Sequence, residues 1–271
     1  MSFTLNSTAK LNNGVQIPRL GLGVYQIPPG KSTVKAVKYA LEIGYKHFDT
    51  AKIYGNESDV GKALKESDVK REDIFITTKV WNSDQGYNST LKALESSLKR
   101  LGLSYVDLYL IHWPVQGKII ETWKAMIKLL NSGKVNAIGV SNYSINELKE
   151  TIHSSDTVPA INQVEFHPFL NQKDLLQFCK SNVIQLEAYS PLTRGERLND
   201  PNIVRIAKAY DKTSAQILVR WSLQHDLVVI PKSSHEERIL ENSQVFDFHI
   251  NQKDMEILDL LNEDLSTVFL D

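Results

Sequence analysis

Apolar runs and helical patterns alternate along the chain from about residue 19 to its end. Short apolar runs are typical of buried strands, and apolar residues at three- and four-residue spacing are typical of amphipathic helices. This pattern predicts eight strands, at 21–24, 45–48, 74–79, 106–113, 135–140, 161–165, 183–188 and 227–230. It predicts helices at 31–43, 56–66, 87–101, 121–132, 171–180, 201–210, 213–225 and 235–243.

The helix predicted at 87–101 shows the pattern clearly. Leu91, Leu94, Leu98 and Leu101 fall on one stripe of the helix. Gly102 follows directly, and glycine is favoured just past a helix end. The segment therefore has both a buried face and a stop signal.

Strict alternation of strands and helices predicts an α/β protein with a parallel sheet covered by helices. Eight such units in ~250 residues fit a closed (β/α)8 barrel of the TIM type, although a doubly wound sheet also alternates. The chain has no linker, low-complexity tract or shift in composition, so we expect a single domain over residues 1–271. The segment 3–17, with Asn12-Asn13-Gly14 between two alternating runs, predicts a hairpin at the barrel bottom.

Composition and charge narrow the possible partners. Apolar residues make up 42% and charged residues 23%, as in ordinary soluble proteins. The net charge is −1, so no basic excess favours a nucleic-acid partner. The single cysteine, Cys179, excludes an internal disulfide and is expected to be a packing residue. No signal-peptide pattern or long uncharged apolar run occurs, so we expect a cytoplasmic protein without a membrane partner.

Titratable residues cluster where three neighbouring strands are predicted to end. Asp49 follows the second strand with Tyr54 five residues beyond, Lys79 ends the third strand, and His112 lies in the fourth. Active sites of such barrels lie at the C-terminal strand ends, so these side chains are expected to converge. A tyrosine pKa near 10 is too high for proton donation at neutral pH, and a nearby cation lowers it. We therefore expect Lys79, held by Asp49, to lower the pKa of Tyr54, the general acid, while His112 orients a carbonyl oxygen.

Six segments, in one order, resemble the aldo-keto reductase family: DTAKIYGNE at 49–57, ITTKVW at 76–81, DLYLIHWP at 107–114, GVSNY at 139–143, NQVEFHP at 162–168 and IPKSSHEERILEN at 230–242. The chain is most similar to the shorter microbial branch, the diketogluconate and methylglyoxal reductases, because it lacks long loops. The resemblance implies a (β/α)8 barrel that reduces aldehydes and ketones with NADPH. It also implies that Tyr54 is the proton donor, that Lys79 and Asp49 tune it, and that His112 orients the substrate.

The resemblance further implies a site for NADPH or NADP+. For the nicotinamide it assigns Ser141, Asn142, Gln163 and the stacking residue Tyr189, and for the pyrophosphate loop Ser190 and Leu192. For the 2′-phosphate it assigns Lys232, Ser233 and Arg238, and for the adenine Glu241 and Asn242. Aromatic residues implied for the substrate pocket are Tyr25, Trp81 and Trp113. Arginine binds phosphate bidentately and lysine as a point charge, which suits the 2′-phosphate set.

The chain departs from larger family members in two places. Tyr25 stands where they usually have tryptophan, and the tail after residue 262 is short. The loop that selects the substrate is therefore mostly missing, and the identity of the small-molecule carbonyl stays open. Family members of this size are often monomeric, and we expect a monomer.

Other interpretations are weighed against this one. Gly21-Leu22-Gly23 resembles part of a dinucleotide fingerprint, but the third glycine is replaced by Gln26, so barrel-packing glycines explain it better. His47 has no second histidine for a metal site, so no metal is expected, and His167 is expected to anchor a loop.

Three classes of function remain at this stage. A carbonyl reductase accounts for the whole set of strand-end residues. A hydrolase that uses Glu165 and Glu187 is the second, because barrel glycosidases place two carboxylates on strand ends. A nucleotide-binding regulatory subunit on the same fold is the third. Alone, Lys79 and Asp49 are also compatible with a structural ion pair.

Overall fold

The structure, a computed structural model, describes residues 3–268. Two strands, β1 (Thr8–Lys10) and β2 (Gln16–Pro18), pair antiparallel at the N-terminus. Eight parallel strands then follow in one sheet: β3 (Leu22–Gly23), β4 (His47–Asp49), β5 (Phe75–Val80), β6 (Val106–Ile111), β7 (Val135–Ser141), β8 (Ile161–Glu165), β9 (Gln185–Tyr189) and β10 (Val228–Val229).

The helices alternate with these strands. They are α1 (Lys31–Glu42), α2 (Glu57–Lys65), α3 (Tyr87–Leu101), α4 (Ile119–Asn131), α5 (Ile145–His153), α6 (Lys173–Ser181), α7 (Pro201–Ala209), α8 (Ser214–Gln224), α9 (Glu236–Ser243) and α10 (Gln252–Asp259). Within residues 3–268, none of the helices has both the length and the apolar character needed to cross a membrane.

The sheet closes on itself. Each strand from β3 to β10 pairs with its neighbour in the chain, and the first and last strands are joined by bridges from Leu20 to Val229 and from Gly23 to Lys232. The Gly21 N–H also donates to the Val229 carbonyl at 2.9 Å. A doubly wound sheet would reverse its strand order and keep open edges. The predicted (β/α)8 barrel is therefore confirmed.

The hairpin covers the bottom of the barrel, as predicted. Leu11 and Ile17 are buried in one apolar cluster with Phe75 and Leu108, which lie near the starts of their strands. Between β1 and β2, the Asn12 side chain donates to the Pro159 carbonyl at 3.1 Å. The opposite end of the barrel is left free for a site.

Helix α3 illustrates how the helices pack. Leu94, Leu98 and Leu101 are buried, and Gly102 ends the helix in the left-handed conformation with φ of 68°. Glycine adopts this conformation without a steric penalty, which explains the residue at this position.

Two helices were not predicted individually, although each carries a local start signal. Glu147 accepts a hydrogen bond from the Ser144 N–H at 2.7 Å at the start of α5, and Asn251 accepts one from the Asp254 N–H at 2.9 Å at the start of α10. Such caps satisfy backbone donors that a helix leaves unpaired.

The glycines near residue 22 are packing residues, as expected. A Cβ atom on Gly21 would lie 2.6 Å from Nδ1 of His47, and one on Gly23 would lie 3.0 Å from the carbonyl oxygen of Ile230. These close approaches leave no room for a larger residue. The partial dinucleotide fingerprint is thus explained by the closure of the barrel.

Candidate active site

A cavity of about 780 Å³ lies at the C-terminal ends of the barrel strands. Of the residues predicted for the site, Lys79 alone does not line the cavity, and it lies directly behind it. The predicted residues that line it are Tyr25, Asp49, Tyr54, Trp81, His112, Trp113, Ser141, Asn142, Gln163, Tyr189, Ser190, Leu192, Lys232, Ser233, Arg238, Glu241 and Asn242. Residues far apart in the chain therefore meet because the strand ends converge.

The Lys79 ammonium joins Asp49 and Tyr54. Its Nζ lies 2.6 Å and 2.8 Å from the two carboxylate oxygens of Asp49 and donates to the Tyr54 hydroxyl at 3.4 Å. Lys79 is fully buried, and it also donates to the Thr50 carbonyl at 3.1 Å. A buried ammonium needs such partners to remain charged.

The direction of the Tyr54 pKa differs from the sequence expectation. Burial, and next the Asp49 carboxylate, raise the pKa of Tyr54 well above its usual value. Asp49 holds Lys79 through both oxygens, so the cation is largely neutralised where Tyr54 meets it. The phenol is therefore protonated at rest, and the cation becomes important when negative charge forms on its oxygen.

His112 faces the Tyr54 ring. The two ring centroids lie 5.6 Å apart, and the His112 and Trp81 centroids lie 5.1 Å apart. Burial, together with the charge of Lys79, lowers the pKa of His112 well below its usual value. A neutral imidazole keeps one N–H, so His112 can donate a hydrogen bond but is a poor proton source at neutral pH.

Polar side chains at the ends of β7, β8 and β9 line another part of the cavity. Asn142 has a left-handed backbone with φ of 64°, and its amide nitrogen donates to the His112 carbonyl at 2.9 Å and to Ser141 Oγ at 3.0 Å. The Tyr189 hydroxyl donates to the Asn142 side-chain oxygen at 2.8 Å. The residues expected at the nicotinamide thus hold one another in place.

Gln163 connects this part to the buried lysine. Its Nε2 lies 2.9 Å from Asp49 Oδ2 and 2.9 Å from Glu187 Oε2. Glu187 is fully buried beneath it, and burial, with the nearby Asp49 charge, raises the pKa of Glu187 to about 8. Sequence analysis considered Glu187 only as a hydrolase residue and did not find this contact.

Cationic side chains meet at the far end of the cavity. Lys232 and Arg238 line the cavity there, together with Arg194, which sequence analysis missed. Burial, and the charges of Arg194 and Arg238, lower the pKa of Lys232. Arg194 also donates to the Thr267 carbonyl and to the Gln26 side chain, each at 3.0 Å. Nothing in the local sequence distinguishes it from other surface arginines.

Three more predicted residues, on α9 and just before it, also line the cavity. Ser233 Oγ accepts a hydrogen bond from the His235 N–H at 3.1 Å, and the Thr213 hydroxyl donates to the Glu241 carboxylate. Asn242 is buried at the end of α9.

The hydrolase interpretation does not fit the structure. Glu165 is buried away from the cavity and accepts hydrogen bonds from Ser266 Oγ at 2.7 Å and the Thr267 N–H at 2.9 Å. Glu187 is enclosed behind Gln163. Neither carboxylate faces the cavity, so the two cannot flank a scissile bond.

His47, which sequence analysis set aside as a metal ligand, is a buried core residue. Its Nε2 lies 3.2 Å from Thr77 Oγ1, and burial, with the Lys79 charge, lowers the pKa of His47 to about 3. His167 lies 3.2 Å from the Glu165 carboxylate and pairs with Leu170 across a short bridge, as a loop anchor does. Cys179 is buried in α6.

Comparisons with known proteins identify the same family over most of the chain. The model of the aldo/keto reductase family matches residues 19–263. The glyoxal reductase of Bacillus subtilis is 50% identical over 264 residues, 97% of this chain and 96% of its own.

Solved structures agree with this family. An aldo/keto reductase from Brucella melitensis has a TM-score of 0.91 and 49% identity, over 94% of this chain and 99% of its own. An aldo-keto reductase from Bombyx mori, in complex with NADP, has a TM-score of 0.93 and 33% identity, over 99% and 96%. Fold and sequence match over most of the chain, and the chain belongs to the aldo/keto reductase family.

Proposed function

We propose that this protein reduces aldehydes and ketones to alcohols with NADPH, and that Tyr54 donates the proton. The observation that carries the proposal is the contact of 3.4 Å between the Lys79 ammonium and the Tyr54 hydroxyl, at the base of a cavity with a cationic end. The Brucella and Bombyx relatives and the family match support the same chemistry. We further propose that the chain acts as one barrel domain and as a monomer, because the cavity is built within one chain.

The cavity suits NADPH at both ends. Lys232, Arg238 and Arg194 gather positive charge at one end, which matches phosphate groups. Ser141, Asn142 and Gln163 present hydrogen-bonding groups at the other, which matches a carboxamide. When bound, NADPH supplies the hydride.

The Tyr54 hydroxyl is oriented for proton donation. Lys79 donates to the hydroxyl oxygen, so the hydroxyl hydrogen can turn to the cavity. As the carbonyl becomes an alcohol, its oxygen takes this proton and leaves a phenolate on Tyr54. The Lys79 charge then stabilises the phenolate, because the two groups are already in contact. Solvent protons restore the phenol.

His112 and the aromatic walls orient the substrate. The neutral imidazole of His112 can donate to the carbonyl oxygen while Tyr54 transfers its proton. Tyr25, Trp81 and Trp113 give the substrate an apolar surround. A small aldehyde or ketone with little charge fits these surroundings.

A nucleotide-binding regulatory subunit would need only the residues that hold the cofactor. A subunit without turnover has no use for the buried contact between the Lys79 ammonium and the Tyr54 hydroxyl. Carbonyl reduction accounts for both parts.

The direct test follows NADPH absorbance after methylglyoxal is added to the purified protein. We expect consumption of NADPH with wild-type protein and slower consumption of NADH. If neither cofactor is oxidised with methylglyoxal or with other aldehydes, ketones, keto acids and sugars, reductase activity is contradicted. Cofactor binding without turnover would favour the regulatory subunit.

A further inference from the structure

The side-chain amide of Gln163 lies between two carboxyl groups. Its nitrogen is 2.9 Å from Asp49 and 2.9 Å from Glu187. An amide nitrogen has two hydrogens and can donate to both groups, whereas an amide oxygen in that place would face two acceptors. The amide is therefore held in one orientation, with its nitrogen in the barrel.

The Gln163 oxygen is left for the cavity. Gln163 lines the cavity, and both hydrogens of its amide nitrogen are used within the barrel. A ligand group that meets this oxygen must be a hydrogen-bond donor. The barrel interior thus determines what Gln163 can recognise.

Glu187 contacts Gln163 but does not line the cavity. Its Oε2 accepts from Gln163, and its Oε1 lies 3.6 Å from His47 Nε2 with no hydrogen-bond partner among residues 3–268. Lys79 forms its ion pair with Asp49. His47 is neutral at physiological pH because its pKa is lowered to about 3. Within residues 3–268 no charged cation forms an ion pair with Glu187, and the Lys79 charge only partly offsets burial and the Asp49 charge, which agrees with a raised pKa of about 8 and an uncharged carboxyl at pH 7.

We propose that Glu187 is a positioning residue, which together with Asp49 holds the Gln163 amide so that its oxygen accepts a hydrogen bond in the cavity. An uncharged carboxyl does this without placing a second full negative charge beside Asp49. The orientation of the Gln163 amide follows from contacts within the chain. The identity of the donor, the amide nitrogen of the nicotinamide carboxamide, rests on the proposed function.

Cofactor binding to Glu187→Leu and Glu187→Gln tests the proposal. Leucine removes the acceptor at similar volume, and glutamine keeps a carbonyl oxygen for Gln163. Thr77→Val is the matched control, because Thr77 is buried in the same interior and contacts His47 rather than Gln163. Dissociation constants for NADPH and for 2′,5′-ADP, which lacks the nicotinamide, are measured by tryptophan fluorescence.

Because Glu187→Leu should lose the hydrogen bond between the cofactor and the Gln163 oxygen, we expect it to bind NADPH about five- to tenfold more weakly. Its binding of 2′,5′-ADP should be unchanged. Glu187→Gln and Thr77→Val should bind both ligands as the wild type does. Unchanged NADPH binding by Glu187→Leu, or equal weakening for both ligands, would overturn the proposal. If the wild type does not bind NADPH at all, the proposed function fails instead.

A measurement on the wild-type protein covers the case in which Glu187→Leu does not fold. The side-chain amide protons of Gln163, assigned by their loss in Gln163→Met, should exchange with solvent far more slowly than those of exposed Gln252. Exchange as fast as that of Gln252 would contradict the fixed orientation.

Discussion

Gln163 donates a hydrogen bond to Asp49 across the axis of the barrel, with 2.9 Å between Nε2 and Oδ2. Their strands, β8 and β4, are four positions apart in a closed sheet of eight and therefore lie on opposite sides. Asp49 also holds the Lys79 ammonium that contacts Tyr54. The Asp49 carboxylate thus contacts both Lys79, which lies beside the proposed proton donor, and Gln163, which is expected at the nicotinamide.

Replacing Tyr54 with phenylalanine should remove most turnover and leave NADPH binding nearly unchanged. The phenol is the proton source in our proposal, and general-acid catalysis contributes about 10²–10⁴-fold. Steady-state kinetics and a fluorescence titration measure the two quantities. A variant that keeps more than about half of the wild-type kcat would exclude Tyr54 as proton donor.

Lys79→Met and Asp49→Asn should move the pH profile of alcohol oxidation in opposite directions. Oxidation requires the phenolate, whose population rises with pH. Loss of the Lys79 charge raises the pKa of Tyr54 and moves the profile to higher pH, whereas loss of the Asp49 charge removes a cause of the raised pKa and moves it to lower pH. The rate of NADP+ reduction as a function of pH gives both profiles, and profiles that coincide with the wild type would contradict these assignments.

Arg238→Ala should reduce the preference for NADPH over NADH. Arg238 and Lys232 lie together at the cationic end, and a charged hydrogen bond contributes ~1.5–3 kcal/mol, so we expect NADPH to bind about tenfold or more weakly. NADH binding should hardly change, and added salt should weaken NADPH binding by the wild type. Arg205→Ala, on α7 outside the cavity, is the control. Equal losses for both cofactors would exclude a 2′-phosphate site here.

Glu165 should hold the C-terminal tail in a pH-dependent manner. Burial alone would raise the pKa of Glu165, but hydrogen bonds from His167, Ser266 and Thr267 outweigh it and lower the pKa to about 2. A lowered pKa means that the contact is fully stabilising above about pH 4.5 and is lost as the pH falls towards 2. The protection factor of the Thr267 N–H, which is the intrinsic exchange rate at each pH divided by the observed rate, should fall over that range.

In Glu165→Leu, which removes both acceptor oxygens, the same exchange should be fast already at pH 7, and KM for carbonyl substrates should change because Val268 lines the cavity. Protection of Thr267 that is independent of pH in the wild type would contradict the tail anchor.

Glu187→Gln should become more stable relative to the wild type as the pH rises. The folded-state pKa of about 8 lies above the usual 4.5, so between these values the folded protein binds more protons than the unfolded chain. The wild-type free energy of unfolding therefore loses a contribution as the pH rises through this window. Urea unfolding of both proteins at pH 5, 6, 7 and 8 measures it, and a constant difference would contradict the raised pKa.

Much of the fold could be predicted because its signals are local. The leucine stripe of 87–101 and the stop at Gly102 identify α3 without tertiary information. Helices α5 and α10 also begin at local signals, the capping residues Ser144 and Asn251, although neither helix was predicted.

The order of strands and helices, the barrel, the family and the residues at the strand ends could all be predicted from the sequence. These follow from hydrophobic period, turn residues and short motifs, which depend on neighbours in the chain. Three features could be seen only in the tertiary structure: the raised pKa of Tyr54, the presence of Arg194 beside Lys232 and Arg238, and the position of Gln163 between Asp49 and Glu187. A pKa depends on burial and on charges within a few ångströms, and for Tyr54 these charges include Asp49 on β4 and Glu187 on β9.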